Sequence, residues 1–468
     1  MKNKQHVGIF ALTMLITGAV YGAGSLPSMA IFGPQLIFFF VLATILFLLP
    51  SGLISAELSS QFKRESGVYI WADSAFGKSF AAFAIWLQWI NTIVFLPTCL
   101  TTVVGTICYL FDPGLIQHPA FVVTASLGCF WILTWMNLKG IKQSSRIAAL
   151  AVFGGMIVPM ALITGLTVAW FVLGKPMAIH FTAHSMAPHL GSSNAWVSII
   201  AIITSFSGIE LASVHGEKIR NARLVIPRAL ILSVVLIIVT FGFGSLSIAL
   251  VVPHQSMSFV AGTMQAFSAL CDGLHVPWMV NVIGVLMLLG SAGTMASWLI
   301  SPANGLAQAA RNSYLPISWS KENKYGLPSR ILILQGVVIS VISCVFFLMP
   351  SINGSYWLLI DLSTELYAFM YVLMFASAIR IFLRSKKINL IPGGKAGALF
   401  TCFAGLLGCV MALVVGFFPP SNINVGAHWH YILLFASGIV LLASPALLLI
   451  GYKKFSKPAV VDSELIPV

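Results

Sequence analysis

The chain has 468 residues, of which 59% are hydrophobic and only 8% charged, against about 25% charged in an ordinary soluble domain. That much apolar surface exceeds what a soluble core absorbs, so the class is a polytopic membrane protein and a soluble globular fold is excluded. The formal net charge of +13 would suit nucleic acid, but the cations sit in short segments between long uncharged runs, which excludes nucleic acid as a partner and makes the lipid bilayer the expected one.

Asp, Glu, Lys and Arg are absent from 5–56, 79–111, 113–138, 147–174, 176–209, 229–271, 273–310, 331–360 and 396–452. A spanning helix needs about 20 apolar residues. The first and last of these runs are long enough for two spans each. In chain order the spans fall near 8–31, 34–58, 80–110, 120–138, 147–173, 194–215, 227–252, 277–305, 331–349, 355–379, 397–418 and 430–452, twelve in all. Lys2, Lys4 and the apolar run behind them look superficially like a signal peptide. The run is long and flows into a second span, so the first helix is expected to be retained. With the N-terminus placed inside, all of the 25 Lys and Arg except Lys175 fall on one side. This positive-inside bias puts both termini in the cytoplasm, in a bacterial inner membrane. No soluble domain interrupts 1–452, and 453–468 reads as a short cytoplasmic tail. The seven cysteines (99, 108, 129, 271, 344, 402, 409) lie mostly within spans and form no CxxC pair, so they read as free thiols.

The first span contains Gly18-Ala19-Val20-Tyr21-Gly22-Ala23-Gly24-Ser25-Leu26-Pro27, a composition that disfavours continuous helix. The sixth contains Thr204-Ser205-Phe206-Ser207-Gly208-Ile209-Glu210. The two interruptions are five spans apart. Spans one to five (8–173) and six to ten (194–379) therefore read as two repeats, inverted because each has an odd number of spans, with 397–452 peripheral. Broken helices at matching positions of two halves point to a transporter's binding site. Unwinding frees N–H groups suited to a carboxylate and C=O groups suited to an ammonium; an α-amino acid carries both. A close helix–helix packing face is the alternative for either glycine cluster alone.

The chain resembles the amino acid–polyamine–organocation superfamily, and within it the bacterial glutamate:GABA antiporters. The resemblance is carried by Leu26-Pro27-Ser28-Met29-Ala30, Ser55-Ala56-Glu57-Leu58-Ser59, Gly67-Val68-Tyr69-Ile70-Trp71, Ala75-Phe76-Gly77, Trp86-Leu87-Gln88-Trp89, Leu96-Pro97-Thr98, Phe206-Ser207-Gly208-Ile209-Glu210 and Val214-His215-Gly216-Glu217-Lys218-Ile219-Arg220-Asn221. It implies an all-α, LeuT-like five-plus-five inverted repeat with broken helices 1 and 6 and two peripheral helices, moving amino acids or amines by alternating access. It further implies substrate contacts at Val20, Ala23 and Gly24, with Tyr21, Gly22 and Ser25 in the same unwound stretch, and at Thr204, Phe206 and Ser207, with Ser205 and Gly208 beside them. Phe206 and Trp298 are the implied gating aromatics. Ala19 and Ala23 stand where some relatives carry polar side chains, which shifts binding toward the backbone.

Glu210 lies in an apolar span with no cation on any span to neutralise it, at a cost of about 2.5 kcal/mol or more. It is expected to be a proton-coupling or gating acid, the alternative being a structural acid bonded between helices. Asp361 and Glu365 lie four apart on one face of span ten. Helix rise places them about 9 Å and about 15 Å from its outer end. Asp361 reads as an outer-vestibule acid reached by water, and Glu365 as a second proton-coupling candidate. Histidines 180, 184, 189, 428 and 430 gather in outer loops without a standard ligand spacing, and His215 is a candidate pH reporter on the inner side. Span five lacks the lysine that some superfamily members use in place of sodium. The absence of GxxxxGK[ST] argues against ATP hydrolysis. No nucleophile–base pair, metal set or cofactor motif stands out. The expected function is amino acid exchange, proton-linked in one version, against proton- or sodium-coupled symport, or a channel or sensor built on the same fold.

Overall fold

The computed structural model describes residues 8–20, 22–62, 67–140, 145–187, 193–211, 222–311, 315–385, 388–418 and 423–456. Those residues form helices, turns and connections, with no strand among them. The helices are α1 (Ile9–Ala19), α2 (Leu26–Ala30), α3 (Gly33–Gln61), α4 (Val68–Phe76), α5 (Lys78–Phe111), α6 (Pro119–Leu138), α7 (Ala149–Val172), α8 (Ser193–Phe206), α9 (Ala222–Val251), α10 (Gly262–Gly273), α11 (Trp278–Arg311), α12 (Ser329–Ile342), α13 (Ile352–Arg384), α14 (Gly394–Val415) and α15 (His428–Ser456), with a single helical turn at Ala183–Met186.

Ten described helices are long and apolar enough to cross a membrane, and the apolar stretches Ile9–Gly18 and Trp196–Leu211 are shorter. The shorter two occupy the places of the expected first and sixth spans. Large apolar side chains such as Phe400, Phe403, Leu407, Leu441 and Leu448 are exposed on α14 and α15, while Gln88, Asn91, Glu210, Asp361 and Glu365 are buried. An apolar exterior around a polar interior is the distribution expected of a bundle in hydrocarbon rather than water.

α5 runs through the middle of the bundle. It packs on α13 and α11, and also on α4, α6, α12 and α15. Polar ties reinforce these contacts: the Trp89 indole N–H donates to Gln335 Oε1 of α12 (3.1 Å) and the Trp86 indole N–H to the Leu442 carbonyl of α15 (2.8 Å). At the far end of α3, the buried Glu57 carboxylate accepts from the Leu390 N–H (2.7 Å), the Asn389 N–H (3.3 Å) and Gln61 Nε2 (2.9 Å). Glu57 thus ties α3 to the segment that links α13 and α14.

The packing also fixes where the acids of span ten lie. Asp361 and Glu365 are each 1% exposed. The helix starts at Ile352 rather than at 355, which puts Asp361 about 13 Å and Glu365 about 20 Å along it at 1.5 Å per residue. α14 and α15 cover that face of α13. The Tyr431 hydroxyl of α15 donates to Asp361 Oδ2 at 2.5 Å. The expectation of a vestibule acid reached by water is therefore corrected: α14 and α15 seal Asp361 off from it.

Candidate functional site

α1 ends where its sequence stops favouring helix. Val20 is extended (φ −75°, ψ 153°), with its N–H still donating to the Ile16 carbonyl. The chain re-forms as a single turn over Ala23–Ser25, where the Ser25 N–H and hydroxyl both donate to the Gly22 carbonyl at 3.1 Å, and then as α2. Gly24 is required by close approach: a Cβ there would lie 2.7 Å from Thr102 Oγ1 of α5. The Tyr356 hydroxyl of α13 donates to the Gly24 carbonyl (3.2 Å). This backbone is thus gripped between two helices of the bundle.

α8 ends by a different device. The Thr204, Ser205 and Ser207 hydroxyls donate back to the carbonyls of Ile200, Ala201 and Ile203 at 2.7, 2.7 and 2.8 Å. Such back-bonding competes with the helical ladder and favours bending or termination. Gly208 then takes φ 104°, a conformation open to glycine and strained for other residues. Of the carbonyls freed where α8 ends, that of Ile203 accepts from the Ser207 hydroxyl and that of Thr204 from the Ser207 N–H, so the end of α8 is already partly satisfied from within the chain.

Two adjoining cavities lie against the first interruption. One is lined by Gly22, Gly24, Thr102, Thr106, Thr263 and Ser291 among others. The other is lined by Val20, Gly22, Gly24, Phe95, Thr294 and Trp298 among others. A third lies against the end of α8 and is lined by Asn91, Phe95, Thr204, Ser207, Trp298, Ser363, Thr364 and Tyr367. Phe95 and Trp298 belong to the lining on both sides. Among the described lining residues there is no Asp, Glu, Lys or Arg, so hydroxyls, backbone and aromatic faces make the walls.

Behind Tyr367 sits Glu210, 1% exposed. Gln88 Nε2 of α5 donates to its Oε1 at 2.9 Å, the Tyr367 hydroxyl donates to the same oxygen, and the Tyr371 hydroxyl donates to Oε2. The Gly208 N–H donates to the Tyr371 hydroxyl at 3.0 Å. That bond occupies a lone pair of Tyr371 and leaves its proton for Glu210. The acid therefore joins α5, α13 and the turn after α8. Nearby, the Thr204 and Thr364 hydroxyls are bonded to each other, and the Ser363 hydroxyl donates to Asn91 Oδ1 at 2.5 Å.

The structure brings together Val20, Gly22, Gly24 and Trp298 on one side, and Thr204, Ser207 and Trp298 on the other. Ser25 turns its hydroxyl to its own loop, Ser205 turns its hydroxyl to α8, and Ala23 contributes backbone to the single turn. Phe206 is fully buried with its ring edge-on to Phe40, centroids 5.0 Å apart, and it is not among the lining residues of these cavities. Glu365 faces α14 rather than the cavities. Tyr21, His189 and His215 lie outside the described residues. Gln88, Asn91, Phe95, Thr102, Tyr367 and Tyr371 were not singled out by sequence reasoning. The available signals were a glutamine inside an apolar span and two tyrosines four apart on one face of α13.

Comparison with known proteins agrees with this architecture. A family profile described as amino acid permease matches residues 7–442. An uncharacterized transporter of Legionella pneumophila is 35% identical over 444 residues, covering 94% of this chain and 95% of that protein. A glutamate/gamma-aminobutyrate antiporter of Lactococcus lactis subsp. lactis is 27% identical over 452 residues, covering 95% and 90%. A probable agmatine/putrescine antiporter of the same organism is 24% identical over 394 residues, covering 83% and 82%. The chain is thus a multi-pass membrane protein that belongs to the amino acid permeases, within the amino acid–polyamine–organocation superfamily of transporters.

Proposed function

We propose that this protein is a secondary active amino acid exchanger of the bacterial plasma membrane, with both termini cytoplasmic, working by alternating access. The observation that carries the reading is the meeting of cavities from the two helix interruptions at one aromatic pair, Phe95 and Trp298. Substrate would bind along Val20, Gly22 and Gly24, with Thr204 and Ser207 reached once the aromatic pair parts. Walls of peptide dipoles and hydroxyls suit a net-neutral zwitterion. A diamine would find no fixed counter-charge on the described lining.

Ten spans in two inverted repeats, α1–α7 and α8–α13, with α14 and α15 as two peripheral spans, form part of this reading, and the contact pattern supports it. Exchanging each span with the one five later maps one set of contacts on another. α1 packs on α9 and α7, as α8 packs on α3 and α13; α5 packs on α13, as α11 packs on α7; and α4 precedes α5 as α10 precedes α11, each also touching the last span of its partner repeat.

Exchange is favoured over symport by the glutamate/gamma-aminobutyrate and agmatine/putrescine antiporters among the relatives. In proteoliposomes, internal amino acid should accelerate uptake of labelled amino acid. Equal uptake by empty and loaded vesicles would reject exchange, and accumulation from empty vesicles driven by a proton or sodium gradient would establish symport in its place. Glu210 is proposed to link binding to protonation, since its carboxylate touches Tyr367 of the cavity wall and, through Tyr371, the turn after α8.

A further inference from the structure

A second polar site lies on the other side of α13 from the substrate cavities. Ser363, Thr364 and Tyr367 face the cavity. Asp361 and Glu365, one turn apart, face the peripheral helices, consistent with about 100° of rotation per residue. Among the described residues, neither Asp361 Oδ1 nor Glu365 Oε1, both buried, has a hydrogen-bond partner. Both oxygens point at the residue that caps the end of α14: a Cβ on Gly416 would collide with Glu365 Oε1 and lie 2.8 Å from Asp361 Oδ1.

The described surroundings supply no counter-charge. From α15, Tyr431 donates to the other oxygen of Asp361. From α14, the Gly416 backbone faces the pair. α5 offers Asn91, which is bonded to Ser363, and Gln88, which is bonded to Glu210. Among the described residues no Lys, Arg or His pairs with either acid. Two carboxylates this close in a low-dielectric interior repel strongly, and burying unpaired anions is costly.

We infer that Asp361 and Glu365, closed by Gly416 and Tyr431, form a site for one monovalent cation, either a proton shared by the two carboxyls or a sodium ion held between them. The bound cation halves the charge of the pair, relieves the repulsion between the two carboxyls and steadies the contact of α13 with Gly416 and Tyr431. The site is separate from the substrate cavity. Its test uses no transported solute, so its failure is distinguishable from a failure of exchange.

The test uses purified, full-length, substrate-free protein beside Glu365→Gln, Asp361→Asn and Gly416→Ala. Infrared difference spectra across a pH titration read a buried carboxylic acid by its C=O band. Thermal unfolding in sodium chloride against choline chloride reads a bound sodium ion. A carboxylic acid band that disappears in Glu365→Gln or Asp361→Asn identifies the proton. A saturable, sodium-specific rise in unfolding temperature that these variants lose identifies sodium. Gly416→Ala, which changes no titratable group, should weaken whichever signal is found. Wild-type protein with neither signal overturns the site, whatever the variants do.

Discussion

The rings of Phe95 and Trp298 stand 5.2 Å apart at an interplanar angle of 47°, and each forms part of the wall of the cavities on both sides. One ring comes from α5 and the other from α11, two long helices that pack against each other near the middle of the bundle. Aromatic pairs of this kind contribute about 0.5–1.5 kcal/mol beyond their buried area. That is strong enough to hold a closed state and weak enough for thermal motion or substrate to part.

Removing the pair should uncouple transport. Trp298→Ala and Phe95→Ala should each raise uptake into empty proteoliposomes relative to exchange, while Trp298→Phe keeps most of the coupling. Burial of both rings implies a stability loss of about 3–5 kcal/mol for each alanine variant, so protein levels must be measured alongside. Unaltered exchange in folded Trp298→Ala would remove the residue from the gate.

Glu210→Gln should change the pH dependence of uptake, because the amide cannot take or release a proton in the same range. Tyr371→Phe removes one donor to Glu210 and the acceptor for the Gly208 N–H. It should cost about 1 kcal/mol in stability and shift the same pH profile without abolishing transport. Initial rates across a pH series test both; a Glu210→Gln profile that overlays wild type at normal protein levels would refute the coupling role.

Gly24→Ala places a methyl group 2.7 Å from Thr102 Oγ1. Overpacking of this kind costs about 1–3 kcal/mol, and if it falls on binding, substrate affinity should drop about 5- to 150-fold. Thr102→Ala removes the offending hydroxyl and should restore part of the loss. KM values for the single and double variants measure this directly, and no recovery in the double variant would show that Gly24 matters for another reason.

Glu57→Gln should destabilise the protein without altering substrate affinity. The carboxylate accepts backbone N–H groups from Asn389 and Leu390 as well as the Gln61 amide. The substituted amide keeps one acceptor oxygen and turns an N–H₂ toward donors. A buried group left unpaired costs about 1–3 kcal/mol. A lowered unfolding temperature with unchanged KM is the expected result; an altered KM with unchanged stability would place Glu57 in the transport cycle instead.

Much of the architecture was legible along the chain, for local reasons. Long uncharged runs locate the membrane-crossing helices because hydrocarbon penalises each charge separately. The glycines of the first span and the Ser/Thr-rich end of the sixth mark where α1 and α8 stop, since backbone entropy and hydroxyl back-bonding act within a turn or so of the residue that causes them. Glu210 stood out because an acid in an apolar span is costly wherever the helix packs.

What each side chain faces belongs to another level. Asp361 and Glu365 share a helix face by spacing alone, yet only the packing of α14 and α15 on α13 seals that face and brings Gly416 up to it. Phe206 was expected over substrate, but the bundle turns its ring onto Phe40. Phe95, Gln88, Tyr367 and Tyr371 acquire their partners from helices more than a hundred residues away in sequence. Hydropathy and local backbone chemistry are summed residue by residue, so the sequence by itself determines the class, the long apolar helices and where α1 and α8 end. The aromatic barrier, the web around Glu210 and the sealed acid pair depend on how rods of similar apolarity rotate and dock, and only the tertiary structure decides that.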